Sequence, residues 1–376
     1  MAFAQNPLPV WPEPGPEPPQ PVLSRRSENL LLALVGVGIV AVTIALIEVS
    51  LSAAHVAAPE DAALGPLHRY SEVYGWKPRK GFRMVEAGRV TTINEQGYRG
   101  SLLPPQKSGA RRVVFLGDSI VFGLEVSDDQ TFSEVLHARR RDIEVANLAV
   151  QGYDPGQELI KLEREGLALR PDVVVLGLCV DNDFADVALP VFLYDGMHPK
   201  PYFLVENGQL VERDRQLKLS LRQRLALFLS EHSRIYLALS RNWHISASAP
   251  EHWSDRRERA LQDREGVTDL TARLIARMDD DCRRAGAVLI VLAFPDKKTY
   301  KGDSSWLNDL MASTFMRDVA VIDMAGRYRA QNLRFSDFAF DKIGHLSPQG
   351  HRLTAEILED VLVERGVLPT RPDGSS

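Results

Sequence analysis

The sequence predicts an α/β domain, a three-layer α/β/α sandwich around a mainly parallel sheet, preceded by one transmembrane helix. Three observations carry this expectation. Five short apolar runs recur between residues 113 and 324, and segments with helix caps fall between them. These runs are predominantly apolar rather than alternating, as strands are when helices cover both faces of a parallel sheet. Finally, an uncharged stretch long enough to cross a bilayer lies near the N-terminus.

In chain order, residues 1–28 read as a Pro-rich cytoplasmic tail, because the prolines between Pro7 and Pro21 keep the backbone extended and solvated. Leu30 to Ile47 supplies eighteen residues without a charge or a polar face. At about 1.5 Å each they span roughly 27 Å, close to the hydrocarbon thickness of a bilayer. Residues 29–52 are therefore assigned to a membrane-spanning helix. Arg25 and Arg26 precede it, whereas Glu48, Glu60 and Asp61 follow, which keeps the N-terminus cytoplasmic and exports the rest. A cleaved signal peptide with Ser52-Ala53-Ala54 as its processing site is the rival reading. The apolar run is longer than the usual 7–15 or so residues of such a signal, which favours an uncleaved anchor.

Residues 53–110 read as a linker and N-terminal extension. VTTINEQGYRG (Val90 to Gly100) starts like a strand and turns near Gly97, and a loop through Pro104 and Gly109 leads to Arg111-Arg112. The main domain is placed at 111–366. Strands are expected at Val113–Leu116, Val145–Val150, within DVVVLGL after Pro171, at Ala287–Phe294 and at Val319–Met324. Thr131 with Glu134 starts one helix, and Asp154 with Pro155 opens another that Gly166 closes. Val267–Arg284 reads as an amphipathic helix, and Ser347-Pro348 begins a last one ending at Gly366. Residues 187–262 interrupt the pattern as an insert. Asn207-Gly208 marks a two-residue hairpin, and Leu219–Leu239 is helical, with Arg and Lys among Leu, Phe and Tyr. That helix is expected to pack against the domain and expose its basic side, a membrane-surface helix being the alternative. Residues 367–376 form a tail.

Composition excludes several functions. A net charge of -5 gives no footprint for nucleic acid. Two cysteines, Cys179 and Cys282, exclude a disulfide scaffold and read as buried thiols. No C-x-x-C or H-x-x-x-H spacing supports a metal, and no cofactor is expected.

Polar residues gather just after the strands, where parallel sheets place their sites. GDSIVFG puts Ser119 past the first strand, Gly152 lies in AVQGYDPGQE after the second, Asn182 lies in CVDND after the third, and His345 follows the last in FDKIGHLSPQGH. A serine hydroxyl needs a base to remove its proton, and imidazole is suited to that. Acyl transfer also needs oxyanion donors, which the N–H groups of Ser119 and Gly152 and the Asn182 amide can supply. Most of the nine histidines, His351 included, read as surface or packing residues.

These four blocks resemble the SGNH (GDSL-type) hydrolase family over about residues 110–366. YGWKP (Tyr74 to Pro78) and NEQGYRG (Asn94 to Gly100) resemble segments upstream of the domain in membrane-anchored members. The resemblance implies a flavodoxin-like sheet, a Ser–His–Asp centre, and ester hydrolysis or acyl transfer without metal. In the family the aspartate stands three residues before the histidine, a position held here by Lys342. Asp341, four residues before, is the nearest carboxylate, and a bulge at Ile343-Gly344 is needed to bring it to the imidazole; without it a backbone carbonyl orients His345. The expected function is a membrane-anchored, exported serine esterase acting on O-acyl groups such as acetyl esters of carbohydrate. The alternatives are an O-acyltransferase supplied by an integral membrane acyl donor, and a non-catalytic carbohydrate-binding protein.

Overall fold

The computed structural model describes residue 15 and residues 24–54, 67–180, 183–191, 199–213, 219–236, 238–239, 258–259 and 261–370. The chain divides into two units, Met1–Val56 and Ala57–Ser376.

In the first unit, helix α1 (Arg25–Ala53) is long and apolar enough to cross a membrane by length and composition, and none of its side chains is buried. It starts earlier than the predicted span because Ser24 caps it, accepting a hydrogen bond from the Ser27 N–H.

In the second unit, two antiparallel hairpins precede the sheet: β1 (His68–Ser71) with β2 (Gly75–Pro78), and β3 (Arg83–Glu86) with β4 (Arg89–Thr92). The sheet itself consists of β5 (Arg111–Leu116), β6 (Ile143–Asn147), β7 (Val173–Cys179), β10 (Val288–Phe294) and β11 (Ala320–Asp323). Its order is β6-β5-β7-β10-β11, with every pair parallel. Counted among sheet strands alone this is 2-1-3-4-5, the flavodoxin-like order. Between β7 and β10 the insert contributes the antiparallel hairpin β8 (Tyr202–Glu206) and β9 (Gln209–Arg213). Asn207 and Gly208 both have positive φ in its turn, as the Asn-Gly signal predicts.

Strand alternation divides the interior into two cores. Val114, Leu116, Val174, Leu176, Leu289 and Val291 face one side, where they pack with α4 (Pro155–Lys161) and α7 (Arg264–Arg284) through Leu159, Leu274 and Met278. Val113, Phe115, Val173, Val175, Ile290 and Leu292 face the other, against α3 (Phe132–Arg139) and α8 (Pro348–Glu364) through Leu136, Leu358 and Val361. At roughly 25 cal/mol per Å² of apolar surface, these two layers dominate the stability of the unit. Cys179 and Cys282 are free and buried.

Several boundaries differ from the sequence reading. Strand β6 ends at Asn147 because that side chain accepts the Ala149 N–H and turns the chain, so Leu148–Val150 belongs to the crossing loop. Helical turns run past Gly166 to Leu169, and the stop falls at Arg170, with φ 55° just before Pro171. The insert helix α6 (Leu221–His232) is shorter than predicted, since Ser233 is extended. The hairpin segment is integral to the fold: Tyr74, Trp76 and Tyr98 lie in the first core.

Candidate active site

The site starts where β5 ends. Gly117 and Gly177 let the one-turn helix α2 (Ser119–Phe122) sit against the sheet, because a Cβ on either would fall 2.2 or 2.1 Å from a methyl of Val121. Asp118 caps the turn, its Oδ1 accepting the Ile120 N–H at 2.8 Å. Ser119 is thereby the first residue of the helix, with an N–H that has no acceptor inside it. Arg99 fixes the far end of the same loop. Its buried guanidinium donates to the carbonyls of Phe122, Gly123 and Val126 and pairs with Asp128. Sequence reading missed Arg99, whose only signal was its place in the NEQGYRG block.

Across the sheet, His345 precedes the Ser347 cap of α8. Its Nε2 lies 2.8 Å from Ser119 Oγ and its Nδ1 lies 2.6 Å from Asp341 Oδ2. The structure therefore brings Ser119, His345 and Asp341 into one hydrogen-bonded chain. Gly344 makes the four-residue spacing work. It has φ 109°, and a Cβ there would fall 2.6 Å from the Pro295 carbonyl oxygen. The resulting turn leaves the Ile343, Gly344 and His345 N–H groups pointing at Asp341 Oδ1, at 3.0, 3.0 and 3.3 Å.

These bonds set the protonation pattern. Partial burial raises the Asp341 pKa, but the bonds from His345 and the backbone outweigh it and the net shift is downward. An ionised carboxylate only accepts, so Nδ1 of His345 carries the hydrogen. In the neutral ring Nε2 is then the acceptor, placed to take the Ser119 hydroxyl proton. Both Ser119 and His345 are buried, each 8% exposed.

Gly152 lies in the next crossing loop, with φ 74° in a turn closed by the Tyr153 N–H on the Val150 carbonyl. The Val150 N–H donates to the Gly117 carbonyl and fastens this loop to the one carrying Ser119. Trp76 Nε1 donates to the Gln151 carbonyl, and Tyr153 Oη donates to the Trp76 carbonyl, so the YGWKP segment supports the turn from outside. Asn182 lies outside the described residues.

Three buried ionisable groups beside these loops, Lys200, Glu158 and Asp183, escaped the sequence reading. Lys200, at the entry of the β8 hairpin, pairs with Asp154 and donates to the Asp186 carbonyl at 2.7 Å. Asp154 caps α4 two residues after Gly152, and Asp186 ends the short helix α5 (Asp183–Asp186) that follows β7. Lys200 thus ties the insert to both crossing loops. Glu158 on α4 is also buried; desolvation, then the Asp118 charge, pushes its carboxyl well above the ordinary range. Asp183 is shifted the same way by burial and then by Glu158 and Asp118, while its Oδ2 accepts the Cys179 N–H. Nothing in the sequence separates such residues from surface charges, since only the tertiary fold buries them.

No family model matches the chain. No curated protein matches it either. Among solved structures, the chain is similar to a lipolytic protein of the G-D-S-L family from Desulfitobacterium hafniense, at 15% identity and TM-score 0.37 over 67% of this chain and 99% of that one. It is similar to a catalytic mutant of an acetylxylan esterase from Geobacillus stearothermophilus, at 13% identity and TM-score 0.37 over 68% and 95%. A two-domain esterase active on acetylated mannans is similar at 11% identity and TM-score 0.36, over 71% of this chain and 52% of that one.

Proposed function

We propose that this chain is a membrane-anchored serine esterase, exported beyond the bilayer, that removes O-acyl groups through an acyl-serine intermediate. The observation that carries the reading is the chain from Ser119 Oγ to His345 Nε2 and from His345 Nδ1 to Asp341. The substrate class put forward is an acylated, for example acetylated, carbohydrate.

In this mechanism Ser119 Oγ attacks the ester carbonyl while His345 Nε2 takes its proton. Asp341 holds the Nδ1–H and stabilises the imidazolium that forms. The N–H groups of Ser119 and Gly152, joined by the Asn182 amide, are the donors assigned to the oxyanion. His345 then protonates the leaving alkoxide, and water deacylates the serine with His345 again as base. The Asp341 contact supports catalysis over a non-catalytic carbohydrate-binding role, whose main argument was an aspartate one residue out of place.

The test is turnover of a short-chain aryl ester by the full chain in detergent. Ser119→Ala lowers kcat by about 10⁴ or more with an unchanged circular dichroism spectrum. A Ser119→Ala variant that keeps full activity ends the proposal. Adding a polysaccharide acceptor to the same assay separates hydrolysis from acyl transfer, because the two share these residues.

A further inference from the structure

The insert helix α6 does not pack as its sequence suggests. Leu221, Leu225 and Phe228 recur at helical spacing, yet they are 84%, 56% and 55% exposed. His232 stacks on Phe228 and continues the stripe by one turn. The helix start is set locally, by a capping box of Ser220 and Gln223. The charges in its first two turns are basic, and Glu231 in the last turn is the one acidic residue of the helix. From Arg215 to Ser230 the sequence holds Arg215, Lys218, Arg222 and Arg224 and no acidic residue. Arg222 and Arg224 are exposed, and neither is ion-paired among the described residues.

An exposed Leu/Phe stripe flanked by arginines is complementary to an apolar layer behind anionic headgroups. We propose that α6 docks in the interface of an anionic bilayer, with Leu221, Leu225 and Phe228 in the acyl boundary and Arg222 and Arg224 on the headgroups. The proposal rests on the membrane-anchored reading above. The chain from Ala54 to Leu67 can extend at most about 45 Å, so α1, once inserted, keeps the second unit near the membrane. Tethering makes such docking effectively intramolecular, and an interfacial helix too weak to bind alone then suffices.

The experiment uses the full chain reconstituted in phosphatidylcholine vesicles, with or without phosphatidylglycerol, and with brominated lipid as quencher. An environment-sensitive thiol label is placed in turn on Phe228→Cys and on Val40→Cys within α1. Cys179 and Cys282 are buried and burial pushes the Cys282 thiol up to about 12, so both stay unlabelled. The expected result is quenching at both positions in phosphatidylglycerol vesicles. At position 228 it falls at least twofold in phosphatidylcholine alone, or when Arg222→Glu and Arg224→Glu are introduced. Quenching at position 40 with none at 228 overturns the docking of α6 and leaves the anchor standing. Absence of quenching at 40 removes the anchor and the proposal together. Quenching at 228 that ignores both lipid charge and the two arginine substitutions refutes headgroup recognition. Cross-linking of position 228 to a second copy with no quenching assigns the stripe to self-association instead.

Discussion

Lys200 offers the sharpest energetic test of how the insert is joined to the site. Its side chain and that of Asp154 are each 2% exposed, and the pair is completed by the Asp186 carbonyl. Lys200→Met removes the cation and leaves the second oxygen of Asp154 charged and buried; the first stays on the Gly156 N–H. Breaking one side of such a pair costs about 3–5 kcal/mol, a large part of a typical domain stability of about 5–15 kcal/mol. In a unit of this size that lowers Tm by roughly 5–15 °C. Asp154→Asn added to Lys200→Met removes the stranded charge while keeping an Asn at the cap, and recovers about 1–3 kcal/mol. Urea unfolding of the full chain in detergent, read by the buried Trp76, measures both differences. Equal stability of Lys200→Met and the parent refutes the reasoning. So does a double variant no more stable than the single one.

Two further predictions follow from the site and the second core. Asp341→Asn keeps an oxygen for the three loop N–H groups but presents an amide to His345 Nδ1, so kcat for the aryl ester falls by about 10²–10⁴ while the fold is kept; parental kcat in that variant removes Asp341 from the mechanism. His351, fully buried and accepting the Phe132 N–H at Nδ1, has its pKa lowered to about 3, first by burial and then by Arg99. The unfolded imidazole binds its proton below about pH 6.5 and the native one does not until about pH 3. The unfolded state therefore holds the extra proton, and stability falls as pH drops through that window, by about 1.4 kcal/mol per pH unit at most. Urea midpoints between pH 7 and about pH 4 check this: His351→Gln, which retains an acceptor but cannot titrate, shows a shallower decline than the parent, and equal declines refute it.

What was legible in the sequence was local. Thr131, Asp154 and Ser347 announce their helices because a cap needs only the next three residues, and all three cap as predicted. The five strands stand out because burial on both faces makes their runs predominantly apolar, with polar residues mostly near their ends. What was not legible depends on contacts distant in sequence. Arg99 reaches residues 122–128, and Lys200 meets Asp154 forty-six residues earlier in the chain. The exposure of α6 was misread for the same reason. Its periodicity specifies an apolar face but not what, if anything, the protein places against it.

Asp341 lies between these cases. Its four-residue spacing from His345 reads as a displaced ligand if the loop is taken as regular backbone. In the structure the extra residue is absorbed at Gly344, in a conformation and against a carbonyl that exclude a side chain. That turn directs three N–H groups at one carboxylate oxygen and leaves the other for the imidazole. One carboxylate thus shapes the loop and orients the ring, and the N–H bonds that shape the loop also keep the carboxylate ionised. The spacing and the glycine form a single device: moving the aspartate to position 342 without changing Gly344 forfeits the turn that aims it.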